Sequence, residues 1–264
     1  MGKFAGKLDG IVTRGFQAAS AAAIGFAGAT AVVGARFEQA ITTVAALSTD
    51  GMQNIGALED QARELGATTA FSATQAADAM KSFAQAGMTA TQIIEASRPA
   101  LLLAGAAGTD MSVATAGMTA TMKQFGLETT DAGRVSDVFS MAMRTSLFDL
   151  QGLSDAMKYG GTVGAGFGMS LEQTTASLAQ FRNLGLEATQ AGTNFRMAMI
   201  KAARVTSKGA AILDKYGLSA ADINPELNSF AEIMQKVGDA GISTTETIEL
   251  FGSRAGANVA QIAS

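Results

Sequence analysis

Apolar residues recur at three- and four-residue spacing along most of the chain, which is the period of an amphipathic α-helix and not the alternation of a strand. Ala76, Met80 and Phe83 share one predicted helix face, whereas Asp78 and Lys81 lie on the other. Only two prolines interrupt the pattern. The pattern therefore predicts an all-α fold in which each helix buries one face.

A short glycine-containing sequence recurs between the predicted helices: a Gly, one aliphatic or small residue, and then Ser, Thr or Glu. These joints begin at Gly66, Gly87, Gly126, Gly168, Gly185, Gly217 and Gly241. Glycine adopts the left-handed conformation that closes a helix, and the third residue caps the next one. Because the glycines lie 17 to 42 residues apart, they predict successive helical hairpins packed as an irregular bundle, and not a solenoid of equal repeats.

Helix starts are marked by hydroxyl residues that stand three positions before Gln, Glu or Asp, an arrangement that satisfies two N–H groups reciprocally. The pairs are Ser72 with Gln75, Thr89 with Gln92, Ser170 with Gln173, Ser219 with Asp222 and Ser243 with Glu246. The prolines are expected at helix ends. Pro99 is predicted to open a helix after a break near Ser97, and Pro225 to precede a helix capped by Asn228.

The first 36 residues are predicted to form a hydrophobic Ala/Gly-rich helical arm ahead of a helical domain over residues 37–264. Residues 15–35 carry no charged side chain, and a helix of that length reaches across a hydrocarbon core of about 30 Å. Ala and Gly gain little from lipid, however. Two interpretations stay open: a membrane span, or a helix packed against neighbouring subunits through small residues such as Ala18 and Ala22.

Composition indicates a protein that functions in an assembly or an enclosed setting. Of the 264 residues, 48% are hydrophobic and only 16% are charged, and the mean hydropathy is +0.22. The chain can bury a substantial core but has little polar surface. The net charge of −4 and the lack of a long Lys/Arg run argue against sequence-specific binding of nucleic acid.

Missing residue types exclude most catalytic chemistry. The sequence has no Cys, no His and no Trp, which removes thiolate nucleophiles, the commonest metal ligand and the commonest general base. We therefore predict that the chain is not an enzyme and has no catalytic, cofactor-binding or metal-binding residue. Glu59, Asp60 and Glu64 are interpreted as a solvated helix face paired with Arg63.

The 14 methionines are interpreted mainly as core residues. Met118 and Met122 have the four-residue spacing of one helix face, and Met197 and Met199 are a second close pair. Methionine at such positions usually fills gaps in a core. The alternative is an adaptable surface that repacks when the protein changes its surroundings.

A series of motifs follows in order from Phe37 to Ala255. The most characteristic is residues 58–77, LEDQARELGATTAFSATQAA, and the second is residues 190–196, QAGTNFR. Between and after them stand residues 84–87, 99–104, 125–127, 135–138 and 251–255. Together these motifs resemble the core region of the tail tape measure proteins of long-tailed bacteriophages.

The resemblance implies a virion structural protein in the tail lumen that takes part in tail assembly and length determination. It further implies exit ahead of the DNA during ejection, through the host inner membrane and periplasm. The implied partners are tail tube proteins, tail tip or baseplate hub proteins, and further copies of the chain, with a trimer as one expected form.

Two expectations qualify the resemblance. Tape measure proteins are usually much longer, because their ruler is an extended helix that rises about 1.5 Å per residue. No sustained heptad region occurs here, so we expect a short member, a processed piece or the compact part of a longer protein. The uncharged N-terminal stretch leaves one alternative open: a membrane-active, pore-forming toxin or bacteriocin-like helical protein.

Overall fold

The computed structural model describes residues 32–264, and the regular structure in that range is helical. The helices are α1 (32–47), α2 (Ile55–Thr68), α3 (Ala73–Gln85), α4 (Ala90–Ala107), α5 (Met111–Phe125), α6 (Ala132–Thr145), α7 (Leu150–Gly166), α8 (Leu171–Asn183), α9 (Ala188–Ala203), α10 (Ser207–Lys215), α11 (Phe230–Asp239) and α12 (Thr244–Ala263). Short 3₁₀ helices lie at Thr129–Asp131 and Ala220–Ile223. The predicted all-α fold of successive hairpins is confirmed, whereas most of the predicted N-terminal arm lies outside the described residues.

Most helix joints form as the sequence predicts. Reciprocal caps are present at Ser72, Thr89 and Ser170, and the Ser219–Asp222 pair caps the second 3₁₀ helix. Ser243 accepts the N–H of Glu246 at the start of α12. Positive φ angles of 63° to 84° occur at six of the glycines that mark joints, Gly87, Gly126, Gly168, Gly185, Gly217 and Gly241. Glycine tolerates this conformation, which other residues rarely adopt.

Pro99 was predicted to open a helix, and that prediction is wrong. It lies inside α4, which continues from Ala90 to Ala107. A proline within a helix costs about 3 kcal/mol, but the helix has buried residues on both sides of it, including Ser97 and Leu101. The Pro99 carbonyl also accepts a hydrogen bond from Ser136 Oγ on α6, at 3.2 Å. Packing against neighbouring helices therefore overrides the local preference.

Two further helix boundaries differ from the predictions. Gly66 does not end α2, which continues to Thr68; it lies instead where α2 touches the backbone of Ala73. Asn228 does not cap α11, because Ser229 forms a reciprocal cap with Glu232 one residue later. The Asn228 amide instead donates to the carbonyl of Ala221 at 2.7 Å and closes the preceding loop.

Alternate helices pack side by side in the same direction, which gives the molecule two layers. Hydrogen bonds between layer neighbours join residues 36 to 38 positions apart, such as Lys123 Nζ to the Ala86 carbonyl, Arg134 to Glu172 and the Leu147 N–H to Asn183. One layer contains α1, α3, α5, α7 and α9, and the other contains α2, α4, α6 and α8. The chain thus builds a stack of helical hairpins with a nearly constant register, which the spacing of the glycines does not reveal.

The register is visible in the caps of the odd-numbered helices. The residues that precede these helices are Ser72, Asp110, Asp149 and Glu187, which lie 38, 39 and 38 residues apart. Counted from the cap, the fourth and eighth residues form the buried core stripe of each helix. They are Ala76 and Met80, Ala114 and Met118, Leu153 and Met157, and Ala191 and Phe195. Equivalent positions of each hairpin therefore have the same packing role.

Small residues allow the odd-numbered helices to approach closely. The fifth residue after one cap faces the seventh residue after the previous cap: Ser154 contacts Gly117, and Gly192 contacts Ala156. A Cβ at Gly192 would lie only 3.0 Å from the Ala156 Cα, closer than real Cβ atoms normally come. This contact lies between α7 and α9 and requires small residues at both positions.

The end of the stack is covered by α10 to α12. The rings of Phe181, Phe195 and Phe230 join α8, α9 and α11, with centroids 5.6 to 6.4 Å apart. Helix α12 bends sharply at Gly252, whose φ of 84° and ψ of 162° lie in a region that is essentially restricted to glycine. After the bend, Gly256 packs against the backbone near Thr247. The last helix is therefore folded back on itself against the stack.

A polar cluster fastens α10 to α12. The Glu246 carboxylate accepts hydrogen bonds from Lys215 at 2.7 Å and from the Tyr216 hydroxyl at 2.5 Å. It also accepts one from Ser243 at 2.6 Å. These donors, Lys215 first, lower the pKa of Glu246 from 4.5 to about 2. Protonation of this carboxylate should therefore loosen the cover over the stack.

We predict that Gly192→Ala destabilises the protein by about 1–3 kcal/mol, because the new methyl group must push the α9 and α7 backbones apart. The matched control is Gly105→Ala, at an exposed glycine of α4 whose added Cβ would meet only Phe71, at 3.8 Å. The control should be neutral or stabilising by up to about 1 kcal/mol. Urea unfolding followed by circular dichroism measures both; equal stability of the two variants would contradict the close-contact role of Gly192.

We also predict that Glu246→Gln removes an acid-dependent part of the stability. Because folding lowers the pKa of Glu246 from 4.5 to about 2, its contribution is complete above pH 4.5 and is lost as the pH falls towards 2. The stability difference between wild type and variant should therefore shrink over that interval. Thermal melts from pH 7 to pH 2 measure it. Glu249→Gln, which breaks the single exposed ion pair with Lys208, is the control and should have a smaller effect at pH 7.

Candidate interaction surface

The odd-numbered helices carry a row of grooves, one at each of three helix contacts. Between α1 and α3 lies a groove of about 320 Å³ that includes Arg36 and Asp78. Between α5 and α7 lies one of about 420 Å³ that extends to Ser82 of α3. Between α7 and α9 lies one of about 450 Å³ that extends to Arg254 of α12. The repeated register therefore produces a repeated surface, as stacked hairpin proteins commonly do.

The middle groove is lined by buried hydrogen-bonding groups that have no partner within the described part of the fold. Ser154 Oγ and Gln124 Oε1 are buried atoms that line it and have no hydrogen-bond partner among the described residues. The Gln124 amide nitrogen is used, since it donates to the Met157 carbonyl at 3.4 Å. Buried oxygens of this kind usually pair with water or with a bound molecule.

The third groove brings together parts of two motifs that lie far apart in sequence. Gln190, Thr193 and Asn194 come from the motif at 190–196, and Arg254 comes from the motif at 251–255. The bend at Gly252 directs the second half of α12 across α9 so that these motifs meet. Both motifs were interpreted from the sequence as joints and close contacts. That they lie together was not predicted, because nothing local indicates that α12 packs on α9.

The opposite face of the molecule, formed by the even-numbered helices, carries exposed apolar side chains beside its ion pairs. Leu102 and Met141 are large side chains that are more than half exposed. Beside Met141 lies a groove of about 250 Å³ between α6 and α8, lined mainly by Val138 and by alanines of both helices. At its edge Arg134 donates to both carboxylate oxygens of Glu172, at 2.6 and 2.9 Å, and this pairing lowers the pKa of Glu172 to about 2.

The residues singled out from the sequence mostly have the predicted roles. Glu59, Asp60 and Glu64 lie along α2, and Arg63 pairs with Glu59 at 2.6 Å. Glu64 lies 3.7 Å from Arg98. The solvated, ion-paired interpretation of this face is therefore confirmed.

The methionines are also core residues, as predicted. Met118, Met122 and Met199 are buried, and Met197 packs against the core while partly exposed. Met52 and Met141 are exceptions, with 61% and 53% of their surface exposed.

Residues 32–264 contain neither a metal-binding cluster nor a helix that could span a membrane. Over that range, there is no cluster of three or more His, Cys, Asp or Glu residues that could hold a metal ion. Over the same range, no helix has the length and apolar character needed to cross a bilayer. The uncharged stretch at 15–35 lies almost entirely outside the described part of the chain.

Comparison with known proteins places the chain among phage tail proteins. A family described as phage-related minor tail proteins matches residues 59–254. The tape measure protein of Pneumococcus phage Dp-1 is 34% identical over 225 residues, which cover 84% of this chain and 20% of that protein. The probable tape measure protein of Escherichia phage P2 is 31% identical over 169 residues, which cover 64% of this chain and 21% of that protein. The chain thus spans about a fifth of the length of these relatives, and no solved structure matches it.

The matched region begins within α2, contains the stack from α3 to α9 and reaches Arg254 at the third groove. Since the family match covers most of the chain and runs through the ordered motifs, this chain belongs to the tape measure family of phage tail proteins.

Proposed function

We propose that this chain is the compact core of a tape measure protein and occupies the tail lumen of the virion. The observation that carries the proposal is the match of 84% of the chain to the Dp-1 tape measure protein. In this role the stack is a structural part with no catalytic function. Its outer grooves contact tail tube, tail tip or baseplate hub proteins and further copies of the chain, as a trimer or another symmetric oligomer.

The dimensions of the stack support two separate parts in a longer tape measure protein: a compact core and a rod that sets tail length. As one continuous helix, residues 32–264 would extend over about 350 Å. Folded as hairpins, the layer from α1 to α9 spans about 40 Å, because neighbouring helix axes lie about 8–10 Å apart. The core is therefore a poor ruler, and in this proposal tail length is set by a helical rod elsewhere in a longer protein. In this role the chain makes no sequence-specific contacts with DNA.

We further propose that residues 1–36 form a separate arm that acts during ejection. Phe37 is the first buried residue of the described chain, and residues 32–36 before it are exposed, with Val32 and Val33 54% and 60% exposed. An apolar arm continuous with these side chains would pack against neighbouring copies inside the tail. During ejection it would enter the host inner membrane and periplasm ahead of the DNA. Family membership favours this tail role over the toxin that the same stretch suggested.

Deletion of one hairpin tests this separation into core and rod. Removing residues 111–149 from the phage gene joins Asp110 to Leu150 and keeps a cap in front of α7. We expect tails of unchanged length in electron micrographs, because a repeat stack tolerates the loss of one unit. Tails shorter by about 60 Å, the rise of the deleted segment as a helix, would mean that this region measures length.

Leakage of vesicles tests the arm. The full chain and a variant that begins at Phe37 are added to vesicles of phosphatidylethanolamine and phosphatidylglycerol loaded with a self-quenching dye. We expect release by the full chain and none by the shortened variant. If neither protein causes leakage, the proposed membrane step is wrong. If both cause equal leakage, the core and not the arm acts on the membrane.

A further inference from the structure

We propose that the middle groove, between α5 and α7, holds the apolar arm of a neighbouring copy of the chain, with residues 13–24 of that arm lying along it. The groove has a volume of about 420 Å³ and buried oxygens among its lining atoms. The inference rests on the proposed role of residues 1–36 as a separate arm, and it names the surface that receives the arm.

Ser154 of α7 is the first lining residue with an unpaired polar atom. Only 9% of its surface is exposed, and its Oγ lies against Gly117 of α5 without a hydrogen-bond partner in the described part of the chain. A buried hydroxyl of this kind usually pairs with water or with a bound group. Because Ser154 lines the groove, a polar group in the groove reaches this oxygen after a small rotation of the side chain.

Gln124 of α5 supplies the second unpaired oxygen. Its Nε2 donates to the Met157 carbonyl at 3.4 Å, which fixes the orientation of the amide, so Oε1 can only accept. This oxygen lies against Gly161 of α7 and has no donor among the described residues. Gly117 and Gln124 are seven residues apart, which places the two oxygens about 10 Å, or two helical turns, apart along the groove. A helix in the groove would reach both with side chains seven residues apart.

The charged side chains around the groove favour an occupant that is nearly uncharged. Lys158, the charged residue of the lining, donates to Asp155 at 2.6 Å. Lys123 donates to a backbone carbonyl at 3.1 Å, and Asp110 accepts the N–H of Ser112 as the cap of α5. Together with their caps, α3, α5 and α7 carry nearly balanced charges: Lys81, Lys123, Lys158, Asp78, Asp110, Asp149 and Asp155. The groove therefore attracts neither an anion nor a cation strongly.

The walls of the groove are small or apolar. They are formed by Val113, Ala116 and Ala120 of α5 and by Met157 of α7. Water could satisfy the two oxygens but would leave these apolar surfaces uncovered. A helix with an apolar face and two hydroxyl groups covers the walls and satisfies the oxygens together.

The arm has side chains of this kind at the required spacing. Thr13 and Ser20 are seven residues apart, and Phe16 and Ile24 lie on the same predicted helix face. Arg14 is the charged residue of this segment. On a helix it would point about 100° away from Thr13, so it would lie at the edge of the groove in contact with solvent.

The start of α1 favours a neighbouring copy as the source of the arm. Residues 32–36 are helical and all exposed, and Phe37 is the first buried residue of α1. The chain therefore approaches its own stack from outside, and an arm that continues from this turn leads away from the grooves of the same copy. Exchange of an identical segment between copies is a common way to build a symmetric oligomer.

Cross-linking between two full-length chains tests the docking. The natural sequence has no cysteine. A chain with Gln17→Cys, midway between the two hydroxyl groups of the arm, is mixed with a larger tagged chain with Ala120→Cys, midway along the groove and exposed. The control is Ala106→Cys, at an exposed alanine of α4 outside the groove.

After mild oxidation, we expect at least about tenfold more cross-linked pairs with Ala120→Cys than with the control, because docking raises the effective concentration of the two thiols. Gels without reductant measure the yield. Equal yields would overturn the proposal. In a chain with both Gln17→Cys and Ala120→Cys, a bond within one chain in place of a dimer would overturn the exchange between copies.

Removal of the unpaired hydroxyl separates docking from folding. Ser154→Ala should lower the cross-linking yield by at least about threefold, because docking loses a hydrogen bond, and should leave the urea midpoint unchanged or raised. Thr119→Val removes a hydroxyl that is also buried and unpaired but lies outside the groove, and should leave the yield unchanged.

Equal yields from these two variants would mean that water alone pairs with Ser154, and a lower urea midpoint for Ser154→Ala would mean that its hydroxyl serves the fold itself. Either result would overturn the docking site. Release of dye from vesicles by the full chain does not depend on this groove. A failed cross-link with leakage intact would therefore contradict the docking alone and leave the proposed role of the arm in place.

Discussion

The close contact between parallel helices of one layer is the constraint on which the rest of this structure depends. Gly192 lies against the backbone of Ala156, and Gly117 against Ser154. Side chains larger than these would hold the helices apart, and each hairpin could then no longer bury its neighbour's core stripe. At these contacts a small residue is therefore a requirement of packing, and not only a mark of low polarity.

Stacking also decides where polar chemistry can appear. Within the layer, the positions that face the next helix are small, so the grooves form only where two helices diverge at the outer surface. At the end of the layer, the next helix is replaced by α12, which the bend at Gly252 turns across α9. The groove with Asn194 and Arg254 arises there because the repeat ends. The end of the repeat therefore determines where this groove forms.

Membership in the tape measure family gives the stack a physical setting. A phage tail is an assembly of many subunits, and a chain with only 16% charged residues has little polar surface with which to face water alone. The carboxylates that remain are mostly held by defined donors, as Glu172 is by Arg134 and Glu246 is by Lys215. These hydrogen-bonded ion pairs fix how helices of different hairpins lie against each other.

The sequence by itself determined the helices, most of their ends and the family. Caps such as Ser72 and turns such as Gly87 act within a few residues, so local chemistry is enough to predict them. Local chemistry gave the wrong prediction at Pro99, where the cost of a proline within a helix is offset by the burial of helix residues before and after it. The 38-residue register was also not predicted, because helix lengths vary between the glycines and the four caps do not share one residue type. Only the tertiary structure brought Asn194 and Arg254 into one groove, because their meeting depends on the packing of α12 over α9, and contacts between distant segments leave no periodic signal in a single chain.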